Sequence, residues 1–281
     1  MANEAASRDD NNVTGLLAHN SSNETVRLKA RGDGSLISGP SDSIDRIFSK
    51  YNATVEYKDD FSDGTLHGWD YQFDSSNRVG ISLDDRAMVS TYSLLMHTRP
   101  TAGDEAWSRK GWQVPAGVTK VLIGTYFMFH GANANNPASL NFDFDWQTGI
   151  GGSNRRYISF RWLNYSSGIQ TKWQVNTGTP TAQSFTDVTN GTMNIAWNES
   201  DKPLLNYMVG VYNAVTNKYE ALYANGNTYD LTTQNVAPTA GADLSNYNGG
   251  AIHIHIAKNR SDSSEDTLFW IEKPTLGFVY G

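Results

Sequence analysis

Cysteine is absent from this chain, which excludes a disulfide framework, a thiolate metal site and a cysteine nucleophile together. The chain also has no excess of positive charge, because it contains 22 Lys and Arg and 29 Asp and Glu, which gives a formal net charge of −7. A protein that binds the nucleic-acid backbone needs a positively charged surface, so we expect no nucleic-acid partner.

No apolar run approaches the roughly 18 residues of a membrane-spanning helix, and the first residues contain no apolar run at all. We therefore expect neither a membrane partner nor a secretory signal.

Aromatic residues are absent from the first part of the chain. The sequence holds 8 Trp, 14 Tyr and 11 Phe, and none of them precedes Phe48. Residues 1–47 are instead rich in Asn, Ser, Asp and Gly. This change of composition predicts two parts, an N-terminal anchoring arm over residues 1–47 and a β-sandwich over residues 48–281.

Apolar or alternating runs separated by Gly, Asn and Ser fill the second part. The predicted strands include residues 118–130, 140–146, 157–164, 169–176, 207–213, 219–224, 251–257 and 267–271. No long helical period interrupts them, and only residues 41–48 indicate a short capped helical turn. Such a series predicts an all-β, antiparallel sandwich or barrel.

Three consecutive predicted strands carry alternating polar residues. Side chains two apart on a strand share a face of the sheet. If these strands form a meander, one face is aromatic and the other gathers Asp143, Asp145, Tyr157, Arg161, Lys172 and Gln174. Carboxylates, amides and a guanidinium hydrogen-bond sugar hydroxyls, so this face is a candidate glycan-binding surface. The alternative is an ordinary ladder of cross-strand ion pairs, each contributing roughly 0.2–1 kcal/mol.

Catalysis is not expected from these acids. A glycosidase needs two carboxyls about 5–9.5 Å apart, one of them kept protonated. Asp143 and Asp145 are close enough, but a neighbouring guanidinium such as that of Arg161 favours the ionised form. The sequence also contains no nucleophile elbow and no phosphate-binding loop.

No cofactor is expected, although two patterns of residues keep a bound metal ion as an alternative. His253 and His255 lie two apart on one predicted strand, a spacing that can hold a metal, but no third ligand is evident. A second group offers the oxygen ligands that a structural Ca²⁺ takes, although loops often carry such acids without an ion. This group comprises Asp59, Asp60, Asp63, Asp262, Glu265 and Asp266.

The arm contains a predicted hairpin. Val26, Leu28 and Ala30 alternate with polar residues, a Gly-containing turn follows, and Leu36-Ile37 begins a return strand. A two-stranded hairpin is too small to be stable alone, so it must pack on a neighbour, another copy of the chain or a larger assembly. The alternative from composition is a disordered leader.

Two resemblances follow from short motifs. The body resembles the concanavalin-like jelly rolls and carbohydrate-binding modules, on the run Tyr57-Lys58-Asp59-Asp60-Phe61-Ser62-Asp63-Gly64 with Gly68-Trp69, and on Lys218-Tyr219-Glu220 with Asn225-Gly226 and Tyr229-Asp230-Leu231. The arm is similar to the N-termini of tailed-phage virion proteins, on Arg8, Asp9, Val13, Leu16, Leu17, Val26, Leu28 and Leu36. It departs from them at Arg27-Leu28-Lys29-Ala30, where a Pro-Val-rich strand is usual.

These resemblances imply a virion structural protein, a head decoration or fibre-type component assembled in the host cytoplasm. The arm would dock on major capsid or tail proteins, several copies would associate, and the jelly roll would face a cell-surface glycan. The alternative is a free, lectin-like carbohydrate-binding module. A glycan lyase or hydrolase is the third hypothesis.

Overall fold

The chain divides into two compact units, residues 1–41 and residues 42–281. The structure is a computed structural model, and it describes residues 16–19, 25–30, 36–37, 43–66, 68–72, 80–84, 87, 89–98, 105–130, 138–165, 170–193, 205–245, 249–258 and 267–281. The division falls at the start of a helix, whereas the sequence placed the boundary after residue 47.

The first unit contains an antiparallel sheet of β1 (Leu16–His19), β2 (Thr25–Ala30) and β3 (Leu36–Ile37), with β2 in the centre. Leu16 lies opposite Leu28, and Ala30 lies opposite Leu36. The predicted pairing of residues 26–30 with residues 36–37 is therefore confirmed at the level of the backbone, and β1 adds a third strand. Leu17 and Val26 lie within these strands, whereas Arg8, Asp9 and Val13 lie outside the described residues.

Among its described residues, the second unit begins with helix α1 (Ser43–Lys50), and the elements that follow are strands. The strands are β4 (Thr54–Lys58), β5 (Asp70–Gln72), β6 (Gly80–Asp84), β7 (Ser93–Thr98), β8 (Glu105–Trp112), β9 (Val118–His130), β10 (Ala138–Gln147), β11 (Arg156–Tyr165), β12 (Gln170–Asn176), β13 (Phe185–Met193), β14 (Asn206–Asn213), β15 (Lys218–Ala224), β16 (Asn227–Asp230), β17 (Gly249–Lys258) and β18 (Thr267–Tyr280).

Two antiparallel sheets divide these strands between them. The described strands of the first sheet run in the order β13-β12-β11-β10-β17-β8-β5, and those of the second in the order β16-β15-β14-β9-β18-β7-β6, with β4 paired to β18. The chain crosses between the sheets repeatedly, so that the late strands β17 and β18 lie beside the early strands β8 and β9. This winding is that of a jelly roll. The predicted all-β, antiparallel sandwich is confirmed.

The sandwich interior follows from the alternation of residues along each strand. Phe142 lies opposite Phe160, and Trp162 lies opposite Trp173, and all four side chains are buried. From the second sheet Gly210 faces the same layer, where a Cβ would lie 2.2 Å from the ring of Phe160. The glycine therefore makes room for an aromatic ring of the opposite sheet.

Helix α1 covers part of the outer face of the second sheet. Ile44, Ile47 and Phe48 are buried there in an apolar cluster separate from the sandwich interior. The helix approaches closely at two glycines, since a Cβ at Gly124 would lie 3.0 Å from Ile44 and one at Gly277 2.7 Å from Phe48. Within the described part of the chain, no helix has the length and hydrophobicity required to cross a membrane.

Candidate functional site

The predicted polar residues lie together on the outer face of the first sheet, the side turned away from the sandwich interior. We name as the polar face the described residues Asn141, Asp143, Asp145, Tyr157, Ser159, Arg161, Lys172, Gln174 and Asp187. The pairing predicted for the three central strands is confirmed, because β10 pairs with β11 and β11 with β12. Asn141 lies opposite Arg161, and Arg161 lies opposite Gln174.

Two carboxylates form the floor of the polar face. The Arg155 guanidinium binds Asp145 in a bidentate manner, with Nε donating to Oδ1 at 2.9 Å and Nη2 to Oδ2 at 2.6 Å. The Tyr157 hydroxyl donates to Asp143 Oδ2 at 2.7 Å. The sequence treated both carboxylates as surface groups, but the structure leaves Asp143 0% and Asp145 5% exposed. They therefore hold Arg155 and Tyr157 in place.

A chain of hydrogen bonds crosses the three strands next to this floor. Arg161 donates through Nε and Nη2 to Gln174 Oε1, at 2.9 Å and 2.5 Å. Gln174 Nε2 donates to Asp187 Oδ1 at 2.6 Å, and Lys172 Nζ donates to Asp187 Oδ2 at 2.8 Å. The Arg161 guanidinium also lies 3.5 Å from the centre of the Phe185 ring. Because each group restricts its neighbours, the arrangement is preorganised.

Burial and charge shift two pKa values within this chain of hydrogen bonds. Burial lowers the pKa of Arg161 to about 10, and the carboxylates of Asp143 and Asp187 partly oppose that effect. The pKa of Asp187 is lowered, first by the hydrogen bond from Lys172 and then by that from Gln174. Both groups are therefore charged at neutral pH.

Sequence reasoning missed several contributors to this face. Asp187 and Phe185 lie on β13, and Trp107 and Arg109 lie on β8, and neither strand was predicted. Ala106 and Ser108 are buried, whereas Trp107 is half-buried and Arg109 is exposed. The Arg109 guanidinium carbon lies 5.0 Å from the centre of the Trp107 ring. The alternation in residues 105–109 is the signal that could have identified this strand.

Strand β17 connects β8 to the polar face. His255 lies opposite both Trp107 and Asn141, and His253 lies opposite both Arg109 and Asp143. The side chains of both histidines lie outside the described part of the structure. The register alone therefore puts the predicted histidine pair in the middle of the sheet.

The acids proposed for Ca²⁺ take part in local turns. Asp59 accepts hydrogen bonds from the Phe61 backbone N–H and from Trp69 Nε1, both at 2.9 Å. Asp60 accepts from the Ser62 backbone N–H at 3.0 Å, and Asp63 from that of Thr65 at 2.9 Å. Asp262, Glu265 and Asp266 lie outside the described residues. Within the described residues, no group of three or more metal-ligating side chains could hold an ion.

A cavity of about 320 Å³ lies at one end of the sandwich, where β9 begins. Its lining comprises Val114, Pro115, Ala116, Gly117, Val118, Trp146 and Thr148. None of the polar-face residues lines it, so it is separate from the candidate site.

No protein-family model matches this sequence, and no curated protein is significantly similar to it. Similar solved structures include the carbohydrate recognition domain of Emp47p, at 10% identity and a TM-score of 0.47, covering 80% of this chain and 96% of that one. A GH16 protein of the Bacteroides ovatus mixed linkage glucan PUL has 11% identity and a TM-score of 0.46, with 79% and 99% covered. The xylan-binding domain CBM22-1 of Paenibacillus barcinonensis Xyn10C has 11% identity and a TM-score of 0.38, with 82% and 97% covered. At these values the likenesses carry no argument about activity, and the fold assignment rests on the strand order described above.

Proposed function

We propose that this chain binds glycans through the polar face and is carried on a tailed-phage particle by its N-terminal arm. The observation that supports glycan binding is the chain of hydrogen bonds from Arg161 through Gln174 to Asp187 and Lys172. Binding sites rely on a small number of polar groups whose positions are fixed before the ligand arrives. The polar face provides donors and acceptors in this state.

The proposal assigns the buried carboxylates a positioning role. Asp143 and Asp145 bind Tyr157 and Arg155, so the two carboxylates fix the orientation of those side chains. A glycosidase would instead need a carboxyl that reaches the glycosidic oxygen. We therefore propose binding without turnover. The lyase or hydrolase alternative would require product formation that Asp143→Asn abolishes.

The particle attachment is supported by the separate first unit and by the resemblance of its sequence to virion proteins. A small sheet of three short strands buries little surface by itself, so it is suited to pairing with other chains. Its partners would be major capsid or tail proteins, with several copies per particle. The polar face supports the alternative, a free carbohydrate-binding module, equally well.

Glycan binding is tested by probing a glycan array with the full chain and with two variants. Arg161→Ala removes the donor at the centre of the network, and we expect it to weaken binding about tenfold or more, equivalent to 1.4 kcal/mol. Tyr157→Phe removes the hydroxyl that reaches Asp143, and we expect a smaller loss. Tyr280→Phe, an exposed tyrosine of the second sheet, is the matched control. An array without a single hit for the unaltered chain would end this proposal.

A further inference from the structure

The charged groups of the polar face differ in exposure and in their partners. Among the described side chains of this side of the sheet, four are cationic (Arg109, Arg155, Arg161 and Lys172) and three are anionic (Asp143, Asp145 and Asp187). Two of the three carboxylates are buried, whereas Arg109 is exposed and the Lys172 side chain is 29% exposed. Arg155 is paired with Asp145, and Lys172 with Asp187, whose side chain is 52% exposed. Arg161 instead donates to the neutral amide of Gln174, so its charge has no hydrogen-bonded carboxylate among the described residues.

Arg161 has donors left over for a ligand. Its Nε and Nη2 both serve Gln174, and the Phe185 ring fixes the plane of the guanidinium. Within the described part of the chain, Nη1 of Arg161 has no hydrogen-bond acceptor. A guanidinium held in one orientation recognises a carboxylate better than a flexible ammonium does.

Two buried polar atoms beside Arg161 also lack partners. Asn141 is 4% exposed, Ser159 is 0% exposed, and neither Asn141 Oδ1 nor Ser159 Oγ has a hydrogen-bond partner among the described residues. Asn141 lies directly opposite Arg161 in the sheet. Buried polar atoms without partners cost free energy, and a ligand hydroxyl would satisfy them.

One row of residues runs across the sheet from Trp107 to Arg161. Trp107 is opposite His255, His255 is opposite Asn141, and Asn141 is opposite Arg161. This row spans three strand separations, about 14 Å in total. Trp107 lies at one end of this stretch and Arg161 at the other. Arg109 lies in the row next to that of Trp107, opposite His253, and Lys172 lies in the row next to that of Arg161, opposite Leu163.

We propose that the ligand of the polar face is an extended acidic oligosaccharide lying across the strands. One carboxylate binds Nη1 of Arg161, the hydroxyls of the same unit reach Asn141 and Ser159, and a second acidic unit lies at Trp107 and Arg109. This inference rests on the proposed glycan-binding function and adds the charge and the length of the ligand to it.

The test compares oligogalacturonates with neutral cello-oligosaccharides of equal length, using calorimetric titration of the full chain at low and high NaCl. We expect the acidic series to bind at least about tenfold tighter, and its affinity to rise with chain length. High salt weakens the binding of the acidic series because counterions screen exposed charges. Arg161→Gln and Arg109→Gln each reduce that affinity and its salt dependence.

The controls separate this inference from the function on which it rests. Lys218→Gln removes the same charge from an exposed position on the second sheet and should change nothing. Arg109 is exposed, so its variant remains informative if Arg161→Gln does not fold. Equal and salt-independent binding of the two series would overturn the inference that the ligand is acidic, and it would leave the glycan-binding proposal unaffected. Binding of neither series, together with an empty glycan array, would overturn both.

Discussion

Asp187 shows how one side chain connects the stability of the sheet to the candidate site. It accepts hydrogen bonds from both Lys172 and Gln174, and Gln174 in turn positions Arg161. The side chain of Asp187 is 52% exposed, so solvent screens its ion pair. Its greater effect is therefore on the order of the neighbouring donors.

The contribution of the Asp187 carboxylate to stability should appear in the pH dependence of the stability of Asp187→Asn. The pKa of Asp187 is lower in the folded chain than in the unfolded chain, so its stabilising contribution is present above the unfolded pKa. The contribution is lost as the pH falls through the folded pKa. We expect the variant to be less stable than the unaltered chain at neutral pH, and the difference to shrink at low pH as the carboxylate of the unaltered chain takes up a proton.

Urea unfolding at neutral and at low pH measures this difference in stability. Asp45→Asn, which removes an exposed ion pair with Lys58 in a part of the sequence distant from Asp187, serves as the comparison. A destabilisation of Asp187→Asn that persists unchanged at low pH would show that the carboxylate charge is not the cause.

At the scale of elements, α1 acts as part of the body and not as a linker. Its apolar residues cover a cluster that includes Leu122, Val209 and Val211 of the second sheet. At its C-terminal end Lys50 donates to the Tyr223 hydroxyl at 2.9 Å, and Tyr51 lies 3.1 Å from the same oxygen. Burial raises the pKa of Tyr51 well above its usual value, and the hydrogen bond with Tyr223 adds to this effect. The helix is therefore held by apolar packing and by a polar contact.

Phe48→Ala should destabilise the body by about 3–5 kcal/mol, the usual cost of truncating a buried phenylalanine. The ring fills the space above Gly124 and Gly277, so its removal leaves a cavity between helix and sheet. Arg46→Ala, on the exposed side of the same helix, should stay within about 0.5 kcal/mol. Denaturant unfolding of both variants decides this, and equal effects would show that the helix contributes little packing.

At the scale of the whole molecule, the two units have different roles in the proposal. The body has its own interior and its own helix, and it accounts for the polar face. The arm has a small sheet whose predicted role is attachment. The division after residue 41 therefore provides the position at which the two roles can be tested separately.

Deletion of residues 1–41 should leave the Tm and the glycan binding of the body unchanged and should abolish incorporation into phage particles. Deletion of residues 1–50 should in addition lower the Tm, because it uncovers the apolar cluster beneath α1. Thermal unfolding and immunoblots of purified particles measure the two effects. Particles that still incorporate the chain without residues 1–41 would exclude the anchoring role and favour the free binding module.

The alternation in residues 141–146, 157–162 and 172–176 was sufficient to predict which side chains share the outer face. The pleat repeats every two residues, so the face of a side chain is a local property that the sequence determines by itself. Short turns between these strands likewise predicted the meander, and the pairing of β10, β11 and β12 confirms it. The pattern also predicted an all-β sandwich, because residues at alternate positions must bury their aromatic side chains against a second layer.

The tertiary structure alone decided which strands lie next to this meander and how deep its residues are buried. Strand β17 brings β8 to within two strands of Asp143, although Trp107 and Arg109 are far from it in the sequence. Asp143 and Asp145 are buried and accept hydrogen bonds from Tyr157 and Arg155, and no local pattern specifies that depth. Strand order and burial depend on contacts between distant segments of the chain, whereas the period of a strand depends only on its neighbours.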